Sequence, residues 1–489
     1  MTSERRLVLY NSFLLSFNPV LNIIVGVFFA GYIGRHLGVD RYGNFTYALS
    51  FVSLFGFVAN FGITTMLQRE CAQPAADINA LFMNAIYLKS LFLVVTVLAV
   101  VCGSLLSHAN PTILHLNLVL AFYVVGMSLQ NSFASVFKGR SEMKPIAAVN
   151  TTSQLADVAI CVAVLWFGGK EIGVAYSKLA VTVLGVLLYF LLLRRRVALH
   201  PVAVDRRLAR RFLDSGFYIT LITIFYPLYQ VGPVILGASV AGPRAVGLYQ
   251  AANGFVDRLL RLLGPLNDAV FPIFAASRVD KGRSREADFY FYLKAVLILA
   301  VGAWIGTRYV GPSLIAIFFG REYAEAQVII RIMAISIGFR VVSNFAGALL
   351  LARGHDRPCA LIVGATVAIY LVGCVLMIPR WGAAGIAYSF VICEVASFAM
   401  LVGYVVAQDL FPTGGVLKLT AEVLLVILIF SAVNWAYDGR GAPLAASLAP
   451  IAAYPLVLLA CRVVAWSDLM RLQQVFVRSV FQRKSRPPT

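Results

Sequence analysis

Apolar residues run along this chain in long blocks, and polar residues gather in short gaps between them. About fourteen blocks approach the ~20 residues needed to cross a bilayer as a helix. They lie near 11–33, 43–67, 82–106, 113–136, 146–167, 172–193, 212–237, 246–274, 290–310, 325–351, 359–378, 383–407, 419–436 and 444–465. Lipid offers a backbone no hydrogen-bond partners, so each block reads as a helix. The pattern predicts an all-α integral membrane protein. Its outer gaps are short, and no soluble domain is inserted between spans. Beyond Trp466 the period changes: Leu469, Leu472, Val475, Phe476 and Val480 alternate with Arg471, Gln473, Gln474 and Arg478, which suits an amphipathic helix on the inner membrane surface.

The blocks also repeat. Gly173-Val174-Ala175-Tyr176-Ser177 returns as Gly385-Ile386-Ala387-Tyr388-Ser389, each opening a long apolar block. The basic turn Lys138-Gly139-Arg140 followed by Pro145 has a counterpart in Arg353-Gly354-His355-Asp356-Arg357-Pro358. A weaker match sets Gly43-Asn44-Phe45-Thr46-Tyr47-Ala48 against Gly247-Leu248-Tyr249-Gln250-Ala251-Ala252. Six spans return a chain to its starting side, so a second set inserts in the same orientation. The expected architecture is two parallel six-helix lobes around a central cavity, plus two extra helices. The expected domains are residues 1–193 (first lobe), 194–211 (basic cytoplasmic linker), 212–408 (second lobe), 409–465 (spans 13 and 14) and 466–489 (amphipathic basic tail).

Polar residues inside the spans point to a site. In span 8, Gln250, Asn253, Asp257, Arg261, Gly264 and Asp268 recur at steps of three or four, which places them on one helical face, with Arg258 beside them. A charge at the centre of a membrane helix costs about 2.5–3.5 kcal/mol even on the lenient insertion scale, so this face needs partners or water. Asp257 and Arg261, at i and i+4, are spaced to pair. Span 10 carries Ser336, Arg340 and Asn344; span 1 carries Asn18 and Asn22; span 2 carries Asn60 and Thr64; span 7 carries Tyr226, Tyr229 and Gln230. Lone charges stand at Asp157, Lys178 and Glu394, whereas Lys89 and Glu422 lie close enough to span ends for their charges to reach the interface.

Composition sharpens this picture. Hydrophobic residues make up 60% of the 489 positions and charged ones 13%, with a net charge of +19. That charge is an orientation signal rather than a nucleic-acid one. With the N-terminus inside, inner loops and tail hold about 25 Lys and Arg, against about 8 outside. Both termini are therefore expected in the cytoplasm, with contact to anionic membrane lipids. Asn11 opens a full-length span with no small-residue cleavage site after it, so no cleaved leader is expected. The seven cysteines are scattered without a C-x-x-C spacing, so neither a metal site nor a disulfide framework is indicated.

The sign of the intramembrane charges suggests a cargo. Arg258, Arg261, Arg340 and Lys178 outnumber the acids plausible beside them, and a guanidinium fork suits phosphate. An anion bearing phosphate or carboxylate is expected. Asp157, Asp257 and Glu394 are candidates for binding a coupling H+ or Na+. No G-x-x-x-x-G-K-[ST] and no H-E-x-x-H occurs, and no cofactor or catalytic residue is expected. A membrane glycosyltransferase or polymerase working on lipid-linked sugars would want a large outer domain bearing paired carboxylates.

Arg35-His36-Leu37-Gly38, Tyr42-Gly43, Phe55-Gly56, Phe61-Gly62-Ile63 and Arg69-Glu70-x-Ala72 together resemble the opening of bacterial polysaccharide flippases. Val246-Gly247-Leu248-Tyr249-x-Ala251 and Gly382-Ala383-Ala384-Gly385-Ile386-Ala387 with Glu394 are similar to that family's later landmarks. These are Wzx-type exporters of the multidrug/oligosaccharidyl-lipid/polysaccharide superfamily, including O-antigen exporters. The resemblance implies a bacterial inner-membrane protein that moves a polyprenyl-diphosphate-linked oligosaccharide between leaflets by alternating access. It also implies pathway partners such as a polysaccharide polymerase and chain-length machinery. On that reading Arg258, Arg261 and Arg340 meet the diphosphate, while Asn18, Asn22, Asn60 and Gln230 contact sugar hydroxyls. A lipid II flippase of the same superfamily is the alternative, though span 1 offers asparagines where that group is expected to have arginines. A multidrug exporter would prefer twelve spans and an acidic cavity.

Overall fold

The computed structural model describes residues 25–74, 76–107, 110–213, 224–261, 293–294 and 297–408, with residues 450, 453, 454 and 457. Among these, all regular structure is helical. The helices are α1 (residues 25–37), α2 (Val39–Leu54), α3 (Gly56–Asn60), α4 (Ile63–Cys71), α5 (Ile78–Leu106), α6 (Pro111–Gly139), α7 (Met143–Trp166) and α8 (Glu171–Arg194). They continue with α9 (residues 206–213), α10 (Phe225–Arg261), α11 (Leu297–Phe319), α12 (Ala324–Ala352), α13 (Asp356–Trp381) and α14 (Ala383–Ala407). Nine of the described helices are long and apolar enough to cross a membrane, or ten with the bent pair formed by α2 and the α3–α4 segment. The protein is thus an all-helical, multi-span membrane protein. Spans 13 and 14, the tail, Asn18, Asn22 and Asp268 lie outside the described residues, apart from single positions in span 14.

Helix ends follow local chemistry. Asp77 caps α5 by accepting from the Ala80 amide at 3.0 Å, and Asn110 caps α6 by accepting from the Ile113 amide at 2.8 Å, with Pro111 in the first turn. Predicted span 2 is bent by 44°. The bend is followed by a break at Phe61 and Gly62, both left-handed, with φ of 35° and 64°. Residues 225–237 of predicted span 7 and 246–261 of predicted span 8 lie in α10, which Gly242 divides with φ 81°.

The two matching basic turns have the same backbone hydrogen bonds. After α6, the amides of Arg140, Ser141 and Glu142 bond to the carbonyls of Val136, Lys138 and Phe137. After α12, Arg353, Gly354 and His355 bond in the same order to Leu349, Leu351 and Leu350. Both are Schellman turns around a left-handed residue, Ser141 or Gly354. The Gly173 and Gly385 copies open α8 and α14, and each glycine sits against the preceding helix. A methyl at Gly173 would lie 2.8 Å from Val164 of α7, and one at Gly385 would lie 2.5 Å from the Met377 carbonyl of α13.

The third match becomes a contact. A Cβ on Gly43 of α2 would stand 1.9 Å from the Pro243 carbonyl oxygen, and one on Gly247 would stand 2.3 Å from that of Val39. The two segments therefore touch backbone to backbone, each through its own glycine.

Packing divides the chain into two compact units, one of residues 31–250 and 370–386, the other of residues 1–30, 251–369 and 387–489. In the first unit α6 is central, packed by α2, α4, α5 and α8. Its core includes Leu67, Phe82, Phe133, Phe137 and Tyr189. The basic linker docks on this core. Asn79 donates to the His200 carbonyl and accepts from its amide, while Asn84 accepts from the Asp205 amide at 2.7 Å. Arg196 pairs with Glu142, Arg211 with Glu70 at 3.0 Å, and Phe212 is fully buried. In the second unit α11 packs on α12, and Val301 and Ile305 anchor an apolar cluster with Trp304 and Tyr454.

Candidate functional site

Four helical segments of the second unit supply the charged cluster. The C-terminal half of α10 carries Asn253, Asp257, Arg258 and Arg261; α12 carries Arg340; α14 carries Glu394; Gly26 of α1 lies against Arg258. Asp257 Oδ2 accepts from Arg261 Nε at 3.0 Å and Nη2 at 2.7 Å, the i,i+4 pair expected from spacing. Arg340 Nη2 lies 3.5 Å from Asp257 Oδ1, and its Nε lies 3.7 Å from Glu394 Oε1. The Arg340 guanidinium also stands 5.7 Å from the centre of the Phe390 ring, in cation–π range.

Burial grades along this chain of charges. The Glu394 side chain is 5% exposed, Arg340 14% and Arg261 64%. Arg340 is the hinge of the network, held between two carboxylates, while Arg261 presents most of its fork outward. Arg258 donates from Nη1 to the Gly254 carbonyl at 2.9 Å, and its Nε would touch a side chain at Gly26. Three guanidinium groups and two carboxylates are thus carried by these segments among the described residues. A guanidinium suits an anion with several oxygens, since its fork donates two roughly parallel hydrogen bonds.

The other expected site residues that the structure describes lie in the first unit. Lys178 of α8 pairs with Asp157 of α7 at 2.5 Å, both side chains largely buried. Gln230 donates to the Tyr226 hydroxyl at 3.1 Å, one helical turn away. Asn60 turns into the helix bundle: its Oδ1 accepts from Lys89, Thr64 and Ser128, and its Nδ2 donates to the Gly56 carbonyl.

One expectation is corrected. Lys89 does not reach an interface; it is 0% exposed. Its ammonium donates within a ring of oxygens: the Ser128 carbonyl at 2.7 Å, Ser132 Oγ at 2.8 Å, Thr64 Oγ1 at 3.2 Å and Asn60 Oδ1 at 3.3 Å. α5 is 29 residues long, so Lys89, twelfth in it, lies well inside the span. The sequence signal that marks this site is a pair of i,i+4 polar steps, Asn60–Thr64 and Ser128–Ser132, on two neighbouring spans. A second buried polar contact went unread as well: the Tyr249 and Tyr370 hydroxyls meet at 2.9 Å, with Tyr229 against Tyr370.

Comparison with known proteins adds the family. A family model described as polysaccharide biosynthesis protein matches residues 8–278. A protein of Escherichia coli K12 whose name assigns it to O-antigen transport is 22% identical, over 68% of this chain and 79% of its own. A Shigella dysenteriae protein of the same name is 22% identical, over 74% and 91%. The teichuronic acid biosynthesis protein TuaB of Bacillus subtilis is 25% identical over 46% of this chain and 47% of its own. Among solved structures, the lipid II flippase MurJ in an inward closed conformation matches with TM-score 0.73 at 14% identity, covering 93% of this chain and 99% of MurJ. A multidrug resistance MATE family transporter of the MOP superfamily matches with TM-score 0.60 at 13% identity, covering 79% and 93%. These likenesses establish the fold as MurJ- and MATE-like. With its family model spanning more than half of the chain, this membrane protein belongs to the polysaccharide biosynthesis protein family.

Proposed function

We propose that this protein is a flippase, not an enzyme, that moves a polyprenyl-diphosphate-linked oligosaccharide from the inner to the outer leaflet of a bacterial cytoplasmic membrane. The relatives named for O-antigen transport support the cargo class. The observation that carries the reading is the arginine cluster itself: Arg258, Arg261 and Arg340 gathered within apolar spans, with Asp257 and Glu394 among them. Such charges are costly in a bilayer and mark a functional site by default.

In this mechanism Arg261 makes the first contact with the diphosphate, and Arg340 follows by exchanging its carboxylate partners for phosphate oxygens. Protonation of Asp257 or Glu394 loosens their hold on Arg340, which gives the cycle a place for a coupling ion. The sugar then crosses with the headgroup while the polyprenyl tail stays in lipid. Two lobes of six spans each, with both termini cytoplasmic, provide the alternating access.

The test is translocation of a polyprenyl-diphosphate oligosaccharide in proteoliposomes. Losing one charge-assisted contact removes about 1.5–3 kcal/mol, so Arg261→Gln should weaken cargo binding about ten- to a hundredfold. Asp257→Asn should leave cargo binding intact and change ion dependence. A protein that binds the oligosaccharide lipid equally well with Arg258, Arg261 and Arg340 all replaced by glutamine refutes the assignment.

A further inference from the structure

We propose that Asn344 of α12, and Asn131 of α6, its counterpart in the duplication, each hydrogen-bond hydroxyl groups of the cargo's glycan. The inference deepens the transport reading, on which it rests, by assigning the sugar to two residues that this reading leaves out.

The duplication itself picks out the pair. The matching basic turns align Arg140 with Arg353 through the same hydrogen bonds, an offset of 213 residues. At that offset Asn131 falls on Asn344. Each is the twenty-first residue of a 29-residue helix. Each therefore lies eight residues, about 12 Å, from the helix end that carries the basic turn. Both asparagines are exposed, and among the described residues neither carboxamide has a hydrogen-bond partner. A carboxamide so placed within a span needs water or a ligand, since lipid would leave its donors and its acceptor unmatched.

Lipid contact falls on the opposite side of both helices. In the first half of α6, Leu118 and Phe122 are exposed. In the first half of α12, Val328 and Ile335 are exposed, with Arg331 in the same stripe about two turns from the helix start. Phe122 and Ile335 are aligned by the same offset and are 54% and 52% exposed. From each of them to its asparagine is nine residues, two and a half helical turns, so the carboxamide leaves the far side of the helix. Each helix thus gives lipid one face and carries a wet face on the other. In α12 the wet face continues to Gly347, where an added methyl would meet nothing within 4 Å. In α6 it continues to the exposed Lys138.

Position and chemistry select the glycan. Asn344 is four residues from Arg340 on α12, about 6 Å along the axis, so a diphosphate on that guanidinium brings the first sugar beside the carboxamide. A phosphate group offers only acceptors and would use half of a carboxamide. Neighbouring hydroxyls of a sugar ring each donate and accept, which matches both of its ends. Asn60, expected at the sugar from sequence, is committed to Lys89, Thr64 and Ser128 and leaves this contact to others.

The test has two arms, both on the full chain. In proteoliposomes, a charged thiol reagent supplied on both sides should modify Asn131→Cys and Asn344→Cys many times faster than Phe122→Cys and Ile335→Cys, each position being read by mass spectrometry. Equal rates would put the asparagines in lipid and overturn the inference. The second arm measures binding of a polyprenyl-diphosphate oligosaccharide and of the sugar-free polyprenyl diphosphate. Asn131→Ala and Asn344→Ala should each weaken binding of the first about two- to tenfold, the range for one neutral hydrogen bond, and leave the second unchanged. Labelled positions with unchanged affinity would mean a face lined by water alone, and equal losses for both lipids would mean a general defect; either result overturns the inference. Arg261→Gln should weaken both lipids, so the sugar contacts can fail while the diphosphate site stands. A wild type that binds neither lipid removes the transport reading and the sugar contacts together.

Discussion

At the residue scale the decisive group is Arg340, because two carboxylates depend on it. Glu394 is almost wholly buried, and Asp257 shares its two oxygens between Arg340 and Arg261. Taking away one member of a buried ion pair costs about 3–5 kcal/mol, because the charge left behind has lost both water and partner. Arg340→Met should therefore lower the unfolding temperature in detergent far more than Arg261→Met, whose side chain is mostly exposed. Adding Glu394→Gln to Arg340→Met should recover part of the loss, since the two residues act as a unit. Equal destabilisation by the two arginine variants contradicts this network. The Asp257–Arg261 pair was legible from spacing, since i,i+4 neighbours on a helix must meet. The Arg340–Glu394 contact was not, because it joins α12 and α14 across a packing angle that no local pattern encodes.

At the element scale, glycine decides how closely helices approach. The Gly43 and Gly247 contacts meet backbone carbonyls at 1.9 and 2.3 Å, and a backbone cannot swing aside as a flexible side chain does. Gly338 and Gly347, both within α12, have nothing within 4 Å. The same Gly→Ala change should therefore have opposite signs. At Gly338 or Gly347 it should raise stability by up to about 1 kcal/mol through helix propensity. At Gly43 or Gly247 it should force α2 and the second half of α10 apart and lower the melting temperature by several degrees. Similar melting shifts at all four positions would mean that the two segments do not touch. The linker follows similar logic: Asn79→Ala leaves the His200 amide and carbonyl without their partner, a loss of about 1–3 kcal/mol. Limited proteolysis near residue 203 should detect it as faster cleavage.

At the scale of the whole molecule, orientation and span number make the next prediction. A compartment-sensitive reporter fused after residue 408 or after residue 489 should read cytoplasmic, and one fused after residue 440 should read external, if spans 13 and 14 both cross. A cytoplasmic signal at all three sites would leave twelve spans and make 409–465 a surface segment. The sequence alone determined the all-helical membrane class, the approximate helix positions and the duplicated turns, because a bilayer admits few backbone solutions and turns carry their chemistry in a handful of adjacent residues. The repeat Gly43/Gly247 was legible too, but only as a likeness between segments. Tertiary structure alone decided that those segments touch, that the basic linker docks on the first helices, that Lys178 takes Asp157, and that Lys89 is caged inside the bundle. Each of these joins residues from different helices, and which helix faces meet is set by packing summed over the whole bundle rather than by any stretch of chain.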